Sequence, residues 1–176
     1  MIRKIIFIGG IHGVGKTSLC NKLCDELSIE CYSASDLIKK VKKVKFPTNK
    51  HIEGINKNQD SLIVAVDKFI SCKTTCLLDG HFYLLDEKGK VVQIPMSTFS
   101  SLSPIAIIVL NDEPSRILKR IQNRDGNIFD VNDIGAFQEN EIMHSKLVSG
   151  SLGVPYLLAN PFAEGKAVKQ FVRNLI

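Results

Sequence analysis

Short apolar runs alternate along this chain with longer segments of helical period. Residues 2–9, 29–33, 75–79, 104–110 and 154–159 read as strands. The first and fourth are almost continuously apolar, as strands covered by helices on both faces are. Between them, Leu19, Cys20, Leu23, Cys24 and Leu27 form one helical stripe over 17–27, and Leu62, Val66, Phe69 and Ile70 form another over 61–72. Asp112 can cap a helix reaching Ile121, with Pro114 in the first turn, where a missing N–H is tolerated. Asn160 and Pro161 stand in the order of N-cap and N1 for a closing helix that buries Val168, Phe171, Val172 and Leu175. Residues 131–149 read as a helix with a weaker stripe. Residues 82–95 read as a hairpin-like loop, because Glu87-Lys88-Gly89-Lys90 separates two short apolar runs. This alternation predicts an α/β fold with a parallel sheet. With 176 residues and no linker-like stretch, one domain over 1–176 is expected.

Composition narrows the class. Hydrophobic residues make up 44% and charged residues 23%, a globular rather than a disordered balance. No apolar run approaches the roughly 20 residues of a spanning helix. The run Ile5-Ile6-Phe7-Ile8 is too short for a signal segment and leads straight into glycines, so a cytoplasmic rather than secreted protein is expected. The five cysteines include Cys20/Cys24 and Cys72/Cys76 at i,i+4, a spacing that suits helix faces rather than a zinc ribbon. Reduced, partly buried thiols are the expectation. The net charge of +5 favours anionic partners without naming one.

One motif names the chemistry. Gly10-Ile11-His12-Gly13-Val14-Gly15-Lys16-Thr17 is a complete G-x-x-x-x-G-K-[ST], preceded by an apolar strand and followed by an amphipathic helix. Glycines let the backbone wrap a phosphate closely, so that several N–H groups and the helix N-terminus meet the anion. Gly10, His12, Gly13, Val14, Gly15, Lys16, Thr17 and Ser18 are therefore the candidate nucleotide-binding residues. Lys16 would place its cation on the β- and γ-phosphates, and the Thr17 hydroxyl can ligate Mg²⁺. Asp79 ends the third strand, at the sheet edge where ligands of open α/β folds sit, and can hold the same ion. ATP with Mg²⁺ is the implied cofactor pair.

The chain also resembles the nucleoside-monophosphate kinases, and most closely the small archaeal-type adenylate kinases, along nearly its whole length. Ser33-Ala34-Ser35-Asp36-Leu37-Ile38-Lys39 is similar to the S-T-G-D-L-L-R segment that contacts the acceptor nucleotide in that family. Leu77-Leu78-Asp79-Gly80-His81-Phe82 resembles L-D-G-F-P-R, and the form Asp79-Gly80-His81 is closer to the archaeal branch. Arg120 through Asp125 resembles the arginine-bearing lid, placed here at about 122–131. The resemblance implies a three-layer P-loop NTPase fold with a five-stranded parallel sheet of order 2-3-1-4-5. It also implies transfer of the γ-phosphoryl of Mg·ATP to a nucleotide or related small acceptor. On it, Lys16, Asp79, Arg120 and Arg124 are the catalytic candidates, and Ser35, Asp36, Lys39 and His81 the acceptor-binding ones.

Two positions depart from the family pattern. Lys39 replaces the arginine that closes the first segment, and Tyr83 the arginine of the second. A lysine is a point charge and cannot grip a phosphate bidentately. An alternative of another class is therefore carried: a nucleotide-dependent switch or accessory ATPase acting on a protein partner. Arg116, Arg120 and Arg124 at i,i+4,i+8 read either as a solvated basic face or as guanidiniums delivered to a transferring phosphoryl group. The cluster Lys39, Lys40, Lys42, Lys43, Lys45 and Lys50 reads as a solvated face or as an electrostatic funnel. It has no aromatic interleaving beyond Phe46, so nucleic acid is a minor reading. Asp36 reads as a helix-start residue or as a base toward an acceptor hydroxyl. His51 and His144 have no partners at metal-ligand spacing.

Overall fold

A computed structural model describes residues 3–43, 55–71, 74–86, 90–125 and 130–176, with the backbone alone for 55–57, 124 and 125. In chain order the first half holds β1 (Lys4–Gly9), α1 (Lys16–Leu27), β2 (Glu30–Ser33), α2 (Ala34–Lys43), α3 (Ile55–Phe69) and β3 (Thr75–Asp79). There follow β4 (Tyr83–Leu85), β5 (Val91–Gln93), α4 (Met96–Leu102), β6 (Ala106–Leu110), α5 (Pro114–Asp125), α6 (Val131–Leu152), β7 (Tyr156–Ala159) and α7 (Gly165–Arg173).

Five strands pair in parallel in the order β2-β3-β1-β6-β7, and β4-β5 forms a separate antiparallel hairpin. Counting the sheet strands alone, this is the expected 2-3-1-4-5. The labels differ only because the hairpin takes two of them. Alternate residues of β1 face opposite sides of the sheet. Ile6 and Ile8 join Leu19 and Leu23 of α1, Ile117 and Ile121 of α5 and Val168 and Val172 of α7. Ile5 and Phe7 join Leu37 of α2, Leu62 and Val66 of α3, Phe99 of α4 and Val148 of α6. Helices thus cover both faces, in three layers. Each of the four β1 side chains from Ile5 to Ile8 is at most 2% exposed, and burying such a chain contributes about 1.5–3 kcal/mol.

Several elements depart from the sequence reading. α3 starts at Ile55 rather than near 61, because its first turns carry Asn56, Lys57 and Asn58 in place of a readable apolar stripe. α2 runs on directly from β2, and among its described residues only Leu37 is buried, so lysines mask its period. α4 was not anticipated from its serine-rich sequence; it buries Thr98, Phe99 and Leu102 after Pro95 as N-cap. α7 begins at Gly165 with Glu164 as N-cap. The Asn160 Oδ1 instead accepts from the N–H groups of Phe162 and Ala163, a local turn that competes with helix. The expectation of reduced cysteines is corrected at one pair: Cys24 and Cys31 form a disulfide. The last turn of α1 packs over β2 and brings their Cα atoms to 6.1 Å. Cys20 and Cys76 are free and buried. Cys72, Lys45 and Lys50 lie outside the described residues. No helix among the described residues is long and apolar enough to cross a membrane.

Candidate active site

The phosphate loop links β1 to α1. Gly10 has φ +138°, and a Cβ there would stand 2.8 Å from the Leu110 carbonyl oxygen, so both torsion and space require glycine. α1 begins without a side-chain cap and without an acidic residue in its first turn, which leaves its first N–H groups and the positive end of its dipole to an anion. The Val14 side chain turns into the core instead. The Lys16 ammonium donates to the Gly10 and Ile11 carbonyls at 2.7 and 3.1 Å and is held within the loop it would serve. Thr17 Oγ1 donates to Asp79 Oδ2 at 3.1 Å. Parallel pairing sets this contact, since Ile8 stands beside Asp79 in the register. The hydroxyl and carboxylate are hard oxygen donors suited to Mg²⁺, which keeps water and phosphate oxygens as its other ligands.

A single cleft of about 830 Å³ runs from this loop across the sheet edge. His12, Gly13, Gly15, Lys16, Thr17 and Ser18 line it on the phosphate side, and Ser35, Asp36, Lys39 and His81 on the other. Asp79, two residues before His81, lines the same cleft. Asp36 lies in the first turn of α2 and accepts from Lys39 at 3.3 Å, with both side chains exposed. Ser33 and Ser35 share a hydroxyl contact of 2.9 Å. These expected residues are thus brought to one cavity by three separate strand ends, while Gly10 and Val14 do not line it.

Arg120 is anchored on the phosphate loop. It donates to the Gly13 carbonyl at 2.8 Å and to Asp112 Oδ2, and its guanidinium stands 4.5 Å over the Phe162 ring. Partial burial pulls its pKa down from the ordinary arginine value. Asp112, expected as a helix cap, accepts from the Glu113 N–H but spends the rest of its buried carboxylate on Arg120 and Asn160 Nδ2. Of its two readings Arg116 fits the surface one: it is 66% exposed, pairs with Glu113 at 3.2 Å and with Asp112 at 3.9 Å, and does not line the cleft. The Arg124 side chain and residues 126–129 of the expected lid lie outside the described residues.

Sequence reasoning missed the supports of the site. Gln138 clasps the backbone of Asp112, accepting from its N–H and donating to its carbonyl, both at 3.0 Å. Glu141 is fully buried and accepts from the N–H of Phe82 at 3.0 Å and of Tyr83 at 3.1 Å. Its Oε1 also faces His81 Nδ1 at 3.6 Å. The ring of His144 accepts from Gln93 Nε2 at Nδ1 and donates from Nε2 to the Ile94 carbonyl, both at 2.9 Å. One face of α6 thus fixes the backbones that follow β6, β3 and β5. The readable signal was a mixed stripe (Ile134, Gln138, Glu141, Ser145, Val148) whose polar members look like a weak helix until their partners are known. Phe162, 62% exposed at the cleft rim, had no signal of its own.

A profile of the AAA domain family AAA_17 matches residues 9–134, from the end of β1 into α6. The chain belongs to this family. Its phosphate loop, Asp79 and Arg120 all fall within the matched segment. Over 119 residues it is 30% identical to a protein of Methanocaldococcus jannaschii named "Putative adenylate kinase". That alignment spans 68% of this chain and 58% of the relative, so the chain matches little more than half of the relative's length. Among solved structures it is similar to the shikimate kinase of Acinetobacter baumannii in complex with shikimate, with a TM-score of 0.59 and 16% identity over 99% of this chain and 93% of that one. It is likewise similar to a gluconokinase of Sinorhizobium meliloti, with a TM-score of 0.54 and 14% identity over 98% and 95% of the two chains. The fold of this family member is therefore that of P-loop kinases.

Proposed function

We propose that the protein is a phosphotransferase that moves the γ-phosphoryl of Mg·ATP to a nucleotide or related small acceptor, acting as a single kinase domain in the cytoplasm. One observation carries the reading: the phosphate loop, the segment beginning at Ser33, and Asp79 and His81 after the third strand line one cleft. A donor and an acceptor can meet there. In this reading the acceptor oxygen attacks the γ-phosphorus, the bond to the β-γ bridging oxygen breaks, and ADP leaves. Lys16 exchanges its carbonyl contacts for phosphate oxygens, and the α1 N-terminus holds the β-phosphate. Thr17 and Asp79 would hold Mg²⁺, which supplies neutralisation of the phosphate charge. Arg120, fixed by Asp112, stabilises charge on the transferring group without reorganising at the moment of reaction. Phe162 offers an aromatic face at the rim for the donor base. Arg124 and a short lid at about 122–131 complete the reading, while Asp36, Ser35, Lys39 and His81 meet the acceptor.

The test is a screen of labelled ATP against nucleoside monophosphates, deoxynucleotides, nucleosides, shikimate and gluconate. Transfer to one acceptor class at a rate far above ATP hydrolysis is expected. Hydrolysis with no transfer, together with nucleotide-dependent capture of a protein partner, would replace this reading with the switch or accessory ATPase.

A further inference from the structure

Two of the described cysteines are closed to solvent and two are not. Cys20 and Cys76 are free and at most 3% exposed. Cys24 and Cys31 are partly exposed, and they form the disulfide. Its two ends belong to the two sides of the candidate site. Cys24 stands in the last turn of α1, the helix that begins at Lys16 and Thr17 of the phosphate loop. Cys31 stands in β2, two residues before Ser33, which lines the cleft. β2 runs without a break into α2, with Ser35, Asp36 and Lys39.

The ends differ in what else holds them. α1 buries Leu19, Cys20 and Leu23 in the core, and its Glu26 accepts from Lys169 of α7 at 2.7 Å. β2 is an edge strand of four residues, none of them buried, and it pairs with β3 alone. Of α2 only Leu37 is buried. Segments with so little burial open locally at low cost, so the disulfide carries a larger share of the hold on β2 than on α1. The structure also has a place for the reduced pair. Cys31 Sγ stands 3.0 Å from the Cys20 carbonyl oxygen, and once it carries a proton that thiol can donate there without moving.

We infer that the Cys24–Cys31 pair is a redox control on the acceptor side of the cleft. Closed, it braces β2 and the start of α2 against α1; open, it releases them while the phosphate loop keeps its shape. The effect on an acceptor rests on the phosphotransferase reading, and the release of β2 does not. The reductant is a dithiol. Its first thiolate attacks Cys24 Sγ, the S–S bond breaks, and the electron pair leaves on Cys31 Sγ, which takes a proton from water. The second thiolate then attacks the dithiol's own sulfur in the mixed disulfide. Cys24 leaves with the electron pair and is protonated in turn, and the dithiol ends as a cyclic disulfide. The protein gains two electrons and two protons.

The test compares the full chain after dithiothreitol, kept anaerobic, with the chain after oxidised glutathione, each freed of reagent. Thiol titration in denaturant should find two more thiols in the reduced form. Hydrogen exchange over residues 31–36 should quicken by about tenfold or more on reduction, with residues 14–18 unchanged. Tm should fall by about 5–10 °C. The Kd of a non-hydrolysable ATP analogue should stay within about twofold, while the KM for AMP as acceptor rises about threefold to tenfold, because a loosened segment must be ordered on binding. Cys24→Ser, and Cys31→Ser with its hydroxyl still able to donate to the Cys20 carbonyl, should match the reduced wild type in either buffer. A bond that dithiothreitol opens only in denaturant would overturn the inference, as would exchange over 31–36 that ignores the redox state or equal loosening of 14–18. Quicker exchange over 31–36 with no transfer to AMP or any other screened acceptor would support the release of β2 and remove the phosphotransferase reading. Transfer with one KM in both redox states would keep that reading and overturn the control.

Discussion

Replacing Glu141 tests whether α6 holds the segment after β3 in its working shape. The carboxylate is fully buried and accepts from two backbone N–H groups, those of Phe82 and Tyr83. Glu141→Leu leaves both donors without an acceptor. Each unsatisfied buried donor costs about 1–3 kcal/mol, with Tyr83 at the low end because it is only partly buried. Removing a buried charge returns part of the desolvation cost, so the expected loss is about 2–4 kcal/mol in all. Glu141→Gln can keep one oxygen where Oε1 now serves both donors, and loses chiefly charge assistance. Its cost should be about 1–2 kcal/mol. Urea unfolding at fixed pH measures both, and m should stay unchanged if the native state keeps its compactness. Both variants should also lower the phosphoryl-transfer rate more than ATP affinity, because Phe82 and Tyr83 continue the segment that begins at Asp79. Equal losses for the two variants, or a loss below about 1 kcal/mol for Glu141→Leu, would refute this account of the clasp.

Four further outcomes are expected. Lys16→Ala should weaken ATP binding and abolish turnover together. Asp79→Ala should spare metal-free nucleotide binding while costing about 3 kcal/mol of transition-state stabilisation, roughly a hundredfold in Mg²⁺-dependent rate. Filter binding with and without EDTA, beside steady-state kinetics, separates the two, and normal Mg²⁺-dependent activity in Asp79→Ala would reduce that residue to a turn former. Arg120→Lys should cut the rate by about tenfold to a hundredfold, since an ammonium cannot span the Gly13 carbonyl and Asp112 in the planar geometry of guanidinium; a fully active lysine variant would show that only charge matters there. Burial pushes the thiols of Cys20 and Cys76 from 9.0 up to about 12. Above pH 9 the unfolded chain loses these protons while the folded chain keeps them. Stability should therefore be level below that pH and fall as pH rises from 9 toward 12. Denaturation midpoints of Cys20→Ala across that window should fall less steeply than wild type, and an identical slope would count against the burial effect.

The strand order was implied by the family resemblance, whereas the sequence's own pattern determined the strands and the chemistry of the loop between Gly10 and Thr17. These depend on local pattern: a continuous apolar run must be a doubly covered strand, and glycines before Lys-Thr have a backbone reason to be there. Asp79 was legible for a similar reason, because a strand-end carboxylate in a parallel sheet faces the phosphate loop. The tertiary structure decided the rest. Asn160 looked like a helix cap until its Oδ1 closed a tighter turn and its Nδ2 found Asp112, 48 residues away. α6 looked like a poor amphipathic helix because Gln138 and Glu141 stand where apolar residues would be counted. Their partners lie 26 and 59 residues distant. The Cys24–Cys31 bond needed the packing of α1 on β2, and the ring of Phe162 meets the guanidinium of Arg120 only in the folded chain. A polar side chain can be buried only where its hydrogen bonds are met, and where they are met is a property of the folded neighbours and not of the local sequence.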